Sequence, residues 1–327
     1  MSRIGVVGAG SWGTAIAHTM AASGHKTTLW SRSQKTAAEI YQDRTNKHYL
    51  GDIRLNATLS ATCDLSQALD GASFIFLVTP SQTTEAMACE IRKAGIERRL
   101  PIICCAKGLD QETGRRVSQI VEAALPDNPV MVLSGPSFAR DVASGLPTAV
   151  TLAGNDLNTT LSACKTLSSA VLRLYASDDM CGVELGGALK NVMAIAAGIV
   201  HGVGLGQSAK AALIARGFAE MERIAQAYGA RSETLKGLSG LGDLVLTCGS
   251  QESRNYSYGL ALTGKVTIQK KKLAEGAFTA ASAQQLAENM GVAAPITKAV
   301  ADVLSGHQTI PQAVESLTSR PVKAELD

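Results

Sequence analysis

The tightest constraint on what this chain can fold into sits at its N-terminus. Arg3–Val7 is a short β-branched run, and Gly8-Ala9-Gly10-Ser11-Trp12-Gly13 follows at once. Ser11–Ser23 then reads as a helix, and Lys26–Trp30 as a second strand. A strand, a GxGxxG turn, a helix and another strand compose a βαβ unit. In such a turn the first glycine permits the tight bend and the second lets backbone approach a pyrophosphate. The third allows the helix to pack closely on the strand. Free N–H groups at the helix start favour the anion. Gly8, Gly10 and Gly13 are therefore expected to cradle a dinucleotide. The second strand ends in Trp30-Ser31-Arg32-Ser33, without the acid that usually holds a ribose 2′-hydroxyl. Arg32 offers a cation for a 2′-phosphate instead, so the expected cofactor is NADPH or NADH, with NADPH favoured.

The pattern continues through the first half. Phe74–Val78, Ile102–Cys105, Val130–Leu133, Thr148–Leu152 and Val171–Tyr175 read as strands, with helices such as Thr84–Lys93 and Glu112–Ala124 between them. This alternation predicts an α/β fold, a doubly wound, mostly parallel Rossmann-type sheet with helices on both faces. From Val183 onward strand signals stop. Leu185–Ile199, Ala209–Tyr228, Thr279–Asn289 and Lys298–Leu304 read as helices, with an apolar stripe at Ala211, Ile214, Phe218, Met221, Ile224 and Ala225. A length of 327 residues suits two domains. The expected division is an NAD(P)-binding Rossmann-like domain over 1–182 and an all-helical C-terminal substrate and catalytic domain over 183–327.

Composition excludes other classes. Aromatic residues are 4% of the chain, too few for stacking platforms, and a net charge of +3 is too weak to argue for nucleic acid or a membrane surface. The apolar stretches, such as Ile195–Val203, are short and interrupted, so no membrane insertion is expected. The opening residues read as a strand rather than a signal peptide. Seven cysteines without a CxxC spacing suggest free thiols in a reducing compartment, and the cytoplasm is expected. Five histidines lack metal-ligand spacing, so no metal is expected. The run Lys270-Lys271-Lys272 reads as a solvated face.

Four clusters look unlike packing: Ala106-Lys107-Gly108 and Gly135-Pro136-Ser137-Phe138-Ala139, each after a strand, Gly187-Ala188-Leu189-Lys190-Asn191 in an apolar helix, and Gly240-Leu241-Gly242-Asp243-Leu244 with Thr247 and Ser253-Arg254-Asn255 beyond. The first two fall at the carboxyl edge of the sheet, where α/β proteins bind ligands. Reducing a ketone by hydride places negative charge on oxygen, and a lysine can both stabilise that charge and deliver the proton. It does so best when burial or a second cation lowers its pKa from about 10.4. Lys107 can be that cation, Asp243 can tune Lys190, and Arg254 offers a planar fork for a phosphate beside Asn255. Ser253 can cap a helix there. The structural alternatives are a solvent-seeking lysine, an Asp243–Arg254 ion pair and a turn-shaping Ser137. Cys181 and Cys248 read as buried thiols rather than nucleophiles.

From Ile4 to Glu325 the chain resembles the bacterial-type NAD(P)-dependent glycerol-3-phosphate dehydrogenases. The resemblance is carried by GAGSWGTAIA (8–17), AKGLD (106–110), SGPSFA (134–139), GALKNVMAIAAGI (187–199), GLSGLGDLVLTC (237–248), SRN (253–255) and AEG (274–276). It implies interconversion of dihydroxyacetone phosphate, a phosphorylated triose, and sn-glycerol 3-phosphate, a step feeding phospholipid synthesis. It implies Lys190 as acid/base, and Lys107, Gly135, Ser137, Asp243, Ser253, Arg254 and Asn255 as substrate contacts. For the dinucleotide it implies Ser11, Trp12, Arg32, Lys107, Ala139, Arg254, Leu273 and Glu275, beside the three loop glycines. The chain departs from the family pattern at His201, where an acid is common, at Ser208, where Asn is common, and at Tyr256, often basic. A homodimer is expected for an exposed helical domain. The alternatives are a β-hydroxyacid or ketopantoate-type reductase of the same architecture, against which the SRN cluster and GLGDL weigh, and a non-catalytic NAD(P)H sensor. Arg32→Asp is expected to weaken NADPH on the order of tenfold and NADH far less, measured as dissociation constants; equal losses would remove the 2′-phosphate role.

Overall fold

Strand-forming runs of the first half assemble into one sheet in the computed structural model, which describes residues 1–264, 274–322 and 324. Its strands are β1 (Arg3–Val7), β2 (Lys26–Trp30), β3 (Ser60–Thr62), β4 (Phe74–Leu77), β5 (Ile102–Cys104), β6 (Val130–Ser134), β7 (Thr148–Gly154) and β8 (Leu172–Ser177). They lie in the order β3-β2-β1-β4-β5-β6-β7-β8. All neighbours run parallel except β6 and β7. Chain direction across the sheet reverses between β1 and β4, which opens a crevice at their carboxyl ends.

The helices of this half are α1 (Ser11–Ala22), α2 (Gln34–Gln42), α3 (Lys47–Leu50), α4 (Leu65–Leu69), α5 (Thr84–Lys93), α6 (Val117–Ala124), α7 (Ala139–Ala143) and α8 (Leu157–Leu167). Side chains alternate across each strand, so both sheet faces need covering. Ile4, Val6, Phe76 and Ile103 pack on one side with Ile16 and Met20 of α1 and Ala163 and Leu167 of α8. Val7, Ile75, Leu77 and Ile102 pack on the other with Ala88 and Ile91 of α5 and Val121 of α6. The helix expected from Glu112 starts only at Val117. Before it, Leu109 and Arg116 pair in an antiparallel bridge and Gly114 adopts φ +66°, which interrupts any helix.

The remaining helices are α9 (Met180–Val203), α10 (Gly206–Ala227), α11 (Ser232–Lys236), α12 (Asp243–Gly249), α13 (Arg254–Leu262), α14 (Glu275–Asn289), α15 (Pro295–Ser305) and α16 (Ile310–Thr318). The described residues after Ser177 form no strand. Asp179 starts α9: its carboxylate accepts from the N–H of Gly182 at 2.8 Å and that of Arg231 at 2.9 Å. Met180 and Val183 belong to the sheet core, whereas Leu185 to Ile199 fill the core of the helical half. The expectation that no apolar stretch is of bilayer length needs correcting for α9. That helix is long and apolar enough, with a mean hydropathy of 1.5 over an 18-residue window, yet 94% of that window is buried inside the protein. A helix apolar all round is stable in water only when other helices surround it.

Glu220 of α10 ties the outer helices together. Its carboxylate, 2% exposed, accepts from the backbone N–H groups of Ile296 and Thr297 and from the Thr297 hydroxyl, at 2.7, 3.1 and 3.2 Å. It thereby satisfies the free donors at the start of α15 and answers its helix dipole. Glu220→Ala leaves those donors buried without an acceptor and is expected to cost about 2–3 kcal/mol of unfolding free energy, measured by urea denaturation.

Candidate active site

The glycine loop has the geometry the motif requires. Gly8 adopts φ +119°, and a Cβ there would sit 2.9 Å from the Val78 carbonyl oxygen. A Cβ on Gly13 would fall 1.8 Å from the carbonyl oxygen of Gly8, so helix and strand touch at that point. At Gly10 a Cβ would meet nothing within 4 Å. The loop is thus packed from below at Gly8 and Gly13 and open at Gly10, the shape a pyrophosphate needs. The first intrahelical bond of α1 runs from the N–H of Thr14 to the carbonyl of Gly10. The N–H groups of Ser11, Trp12 and Gly13 therefore remain free for an anion. Trp12 is half-buried and packs against the sheet core that includes Cys105. Arg32 is exposed just past β2, whose Trp30 carbonyl accepts from the Gly8 N–H.

The second centre forms where the two halves meet. Lys107 follows β5, Lys190 lies in α9, and Asp243 opens α12. Lys107 Nζ stands 2.7 Å from Asp243 Oδ2, and Lys190 Nζ stands 3.1 Å from Asp243 Oδ1. Lys190 also donates to Thr247 Oγ1 at 2.7 Å, and that hydroxyl lies 3.2 Å from Asp243 Oδ1. Lys107 donates further to the Gly135 carbonyl at 2.9 Å. Asp243 is 2% exposed and Lys190 7%. Burial drives the Lys190 pKa down to about 8; Asp243 works against this and Lys107 with it. Burial also opposes ionisation of Asp243, but the two ammonium groups hold its carboxyl below the usual range.

Asp243 reaches this position through an unusual turn. Leu238–Gly242 forms one π-helical turn, closed by the N–H of Gly242 on the carbonyl of Gly237 at 3.1 Å. A Cβ at Gly240 would lie 1.9 Å from the carbonyl oxygen of Leu235, so only glycine fits. Such turns recur at functional sites because they redirect a side chain without ending the helix.

Two asparagines fix the surroundings. Asn191, next to Lys190, donates to the Lys107 carbonyl at 3.1 Å, and Asn255 accepts from the Gly276 N–H at 2.9 Å. Ser253 caps α13 by accepting from the Tyr256 N–H at 3.2 Å. Arg254 is exposed at the first position of α13 and makes no hydrogen bond or ion pair among the described residues. Glu275 opens α14; burial raises its pKa, opposed by the charges of Arg254, Lys190 and Lys107. The Ser137 hydroxyl donates to the Gly135 carbonyl at 3.0 Å, which shapes its own turn, and Ala139 begins α7. Asp243 pairs with the two lysines rather than with Arg254, and Leu273 lies outside the described residues together with Lys270, Lys271 and Lys272. Burial pushes the Cys248 thiol up to about 12, so it stays protonated beside Lys190, while Cys181 is half-buried rather than buried. Thr247 and Asn191 carried no assigned role in the sequence. The spacing of Thr247, four residues after Asp243 on one helix face, is the signal that could have found it.

Comparison with known proteins places this geometry. Residues 3–160 match the family described as NAD-dependent glycerol-3-phosphate dehydrogenase N-terminus, and residues 179–315 match the corresponding C-terminus. The chain belongs to the NAD-dependent glycerol-3-phosphate dehydrogenase family. A glycerol-3-phosphate dehydrogenase [NAD(P)+] of Mesorhizobium japonicum is 50% identical over 325 residues, covering 99% of this chain and 94% of the relative. One from Chelativorans sp. is 47% identical over 328 residues, covering 99% and 100%. The crystal structure of glycerol-3-phosphate dehydrogenase from Coxiella burnetii superposes with a TM-score of 0.91 at 38% identity, covering 98% of this chain and 99% of that one. As a member of this family the chain is an NAD(P)-dependent oxidoreductase with a Rossmann-type domain followed by a helical one.

The ion cluster yields a measurable expectation. A ¹³C titration of the lysine side chains should show one ammonium with a midpoint near pH 8, and Asp243→Asn should move it lower by removing the charge that favours protonation. The folded pKa lies below the unfolded one, so between these values the unfolded chain binds more protons. This group therefore makes stability rise with pH from about 8 towards 10.5, and its cost is fully present below about 8.

Proposed function

We propose that the chain interconverts dihydroxyacetone phosphate and sn-glycerol 3-phosphate with NADPH or NADH, supplying glycerol 3-phosphate for phospholipid synthesis. The observation that carries the reading is the Lys107–Asp243–Lys190 cluster at the carboxyl edge of a sheet whose first turn is a glycine loop. In the balanced reaction the ketone, NAD(P)H and one proton give the alcohol and NAD(P)⁺. The bound dinucleotide supplies a hydride to C2 of the triose; Gly8, Gly10, Ser11, Trp12, Gly13 and Arg32 would hold its adenosine and pyrophosphate end. Lys107, Ala139, Arg254, Leu273 and Glu275 would hold the remainder.

Lys190 is the acid/base in this reading. Two of its three donors are engaged by Asp243 and Thr247, which leaves one for the C2 oxygen. As negative charge grows on that oxygen, Lys190 delivers a proton and Lys107 stabilises the charge from the sheet side. A pKa of about 8 places the group close to the working pH, where both protonation states are accessible. Arg254, Asn255 and the capped start of α13 would hold the phosphate, with Ser253 fixing that start and Gly135 and Ser137 shaping the opposite wall.

We also divide the chain at residues 182 and 183 into cofactor and substrate domains, and place it in the cytoplasm, which its seven free thiols support. Exposed Val203, Leu205 and Val245 on the helical half support a homodimer. The test is steady-state kinetics with both cofactors. Dihydroxyacetone phosphate should be reduced far more efficiently than unphosphorylated dihydroxyacetone or 2-ketoacids. Lys190→Ala should lower kcat on the order of 10³-fold or more while NADPH affinity stays within about twofold. Unchanged turnover, or a preference for 2-ketoacids, would refute the reading.

A further inference from the structure

The segment joining α2 to α3 carries a side chain that none of the roles above uses. Asn46 is 1% exposed, although it lies in a connection between two surface helices. Its amide nitrogen donates to the carbonyl of Ala9 inside the glycine loop at 3.0 Å and to the Thr14 hydroxyl of α1 at 2.9 Å. Its Oδ1 is buried with no partner among the described residues. Turning the amide over would set Oδ1 against the Ala9 carbonyl, two acceptors facing each other, so hydrogen bonding fixes the orientation. A leucine would bring no unpaired acceptor of its own, but it would strip the Ala9 carbonyl and the Thr14 hydroxyl of this donor. The asparagine therefore carries the cost of one buried unpaired acceptor, offset by the two bonds its amide makes to the loop and to α1.

The segment is itself held in place. Glu39 of α2 accepts from the Lys47 N–H at 2.8 Å and from the Thr45 hydroxyl at 3.1 Å. The Ser11 hydroxyl reaches the Tyr49 carbonyl at 3.4 Å. Asn46 is thus a fixed post against which the loop rests.

The Ala9 bond has a directional consequence. The peptide joining Ala9 to Gly10 is planar and trans, so its C=O and N–H point to opposite sides. Tying the carbonyl to Asn46 turns the Gly10 N–H the opposite way, away from Asn46, at a residue where a Cβ would meet nothing within 4 Å. That N–H has no partner among the described residues. We infer that Asn46 is a positioning residue for the cofactor: by holding the Ala9 carbonyl it presets the Gly10 N–H, and with it the start of α1, for the dinucleotide pyrophosphate. The inference rests on the reading of the glycine loop as the cofactor site.

The test separates the pyrophosphate from the rest of the cofactor. Binding of ADP-ribose, which contains the pyrophosphate, and of 2′-AMP, which lacks it, is measured by calorimetry on the full chain. The proteins compared are wild type, Asn46→Ala and Asn46→Asp. Asn46→Asp keeps the shape but sets a carboxylate oxygen against the Ala9 carbonyl; should it not fold, Asn46→Ala carries the test. Both variants are expected to weaken ADP-ribose tenfold or more and to leave 2′-AMP within twofold. The KM values for NADPH and NADH should rise by the same factor, with kcat at saturating cofactor and the KM for dihydroxyacetone phosphate within twofold. Parallel weakening of ADP-ribose and 2′-AMP would mean general loosening of the domain and would overturn the inference, as would unchanged ADP-ribose binding. Failure of the wild-type chain to bind ADP-ribose at all would instead overturn the reading of the glycine loop.

Discussion

The carboxylate of Asp243 is bonded to two ammonium groups at once, one from the sheet half and one from the helical half, in a place where water scarcely reaches. Three charges so placed are costly to desolvate, and only mutual pairing makes them tolerable. Removing Asp243 leaves two cations without their shared partner, whereas removing either lysine leaves a balanced pair. The trio is also unbalanced. With both lysines protonated it carries one net positive charge. Asp243 therefore has two effects that pull against each other: it keeps Lys190 charged despite burial, and it spends part of the field that a growing oxyanion would feel. A lysine pKa of about 8 is the resulting compromise between these and burial.

That geometry requires three chain segments far apart in sequence to meet within a few tenths of an ångström, and α9 is what makes this possible. It runs from the sheet core at Met180 to the far end of the helical core, with neighbours on all sides, so it cannot rotate or slide without emptying both. Lys190 lies near its middle. Asn191 ties the same turn to the Lys107 backbone, and the π-helical turn directs Asp243 at it from the other side. Rigid packing thus does at the active site what a flexible loop could not: it holds the cations near one another before any ligand arrives.

The sequence reveals this arrangement unevenly, for physical reasons. Strands β1, β4, β5 and β6 are legible because both faces of a parallel sheet are covered, so their residues must be apolar throughout. Ser60–Thr62 is not, being a three-residue strand with only Ala61 apolar, at the sheet edge, whose pairing with β2 comes from neighbouring packing rather than its own pattern. Helix α9 is underestimated because glycine and histidine interrupt its apolar run, whereas in the structure they face other helices or lie in the last turn. At the site, Lys190 stands out as a charge within an apolar helix. Thr247 and Asn46 carry no such contrast. Their partners Lys190 and Ala9 lie 57 and 37 residues away; the spacing from Asp243 hints at Thr247, but nothing local points to Asn46.

The two centres differ in how they meet solvent, and this bears on what each can recognise. Around Lys190 the carboxylate of Asp243 and the hydroxyl of Thr247 are fixed partners, which suits a reaction whose charge must appear in one place. At the start of α13 the arrangement is reversed: Ser253 and Asn255 are committed to backbone contacts, while Arg254 remains exposed and unpaired among the described residues. A phosphate arriving there would find backbone donors held in position and one guanidinium still able to close on it. Glu275 lies where it feels both regions, its carboxyl influenced by Arg254 and by both lysines. On the proposed placement of the substrate phosphate at the start of α13, its negative charge would add to that of Asp243 in favouring the protonated form of Lys190.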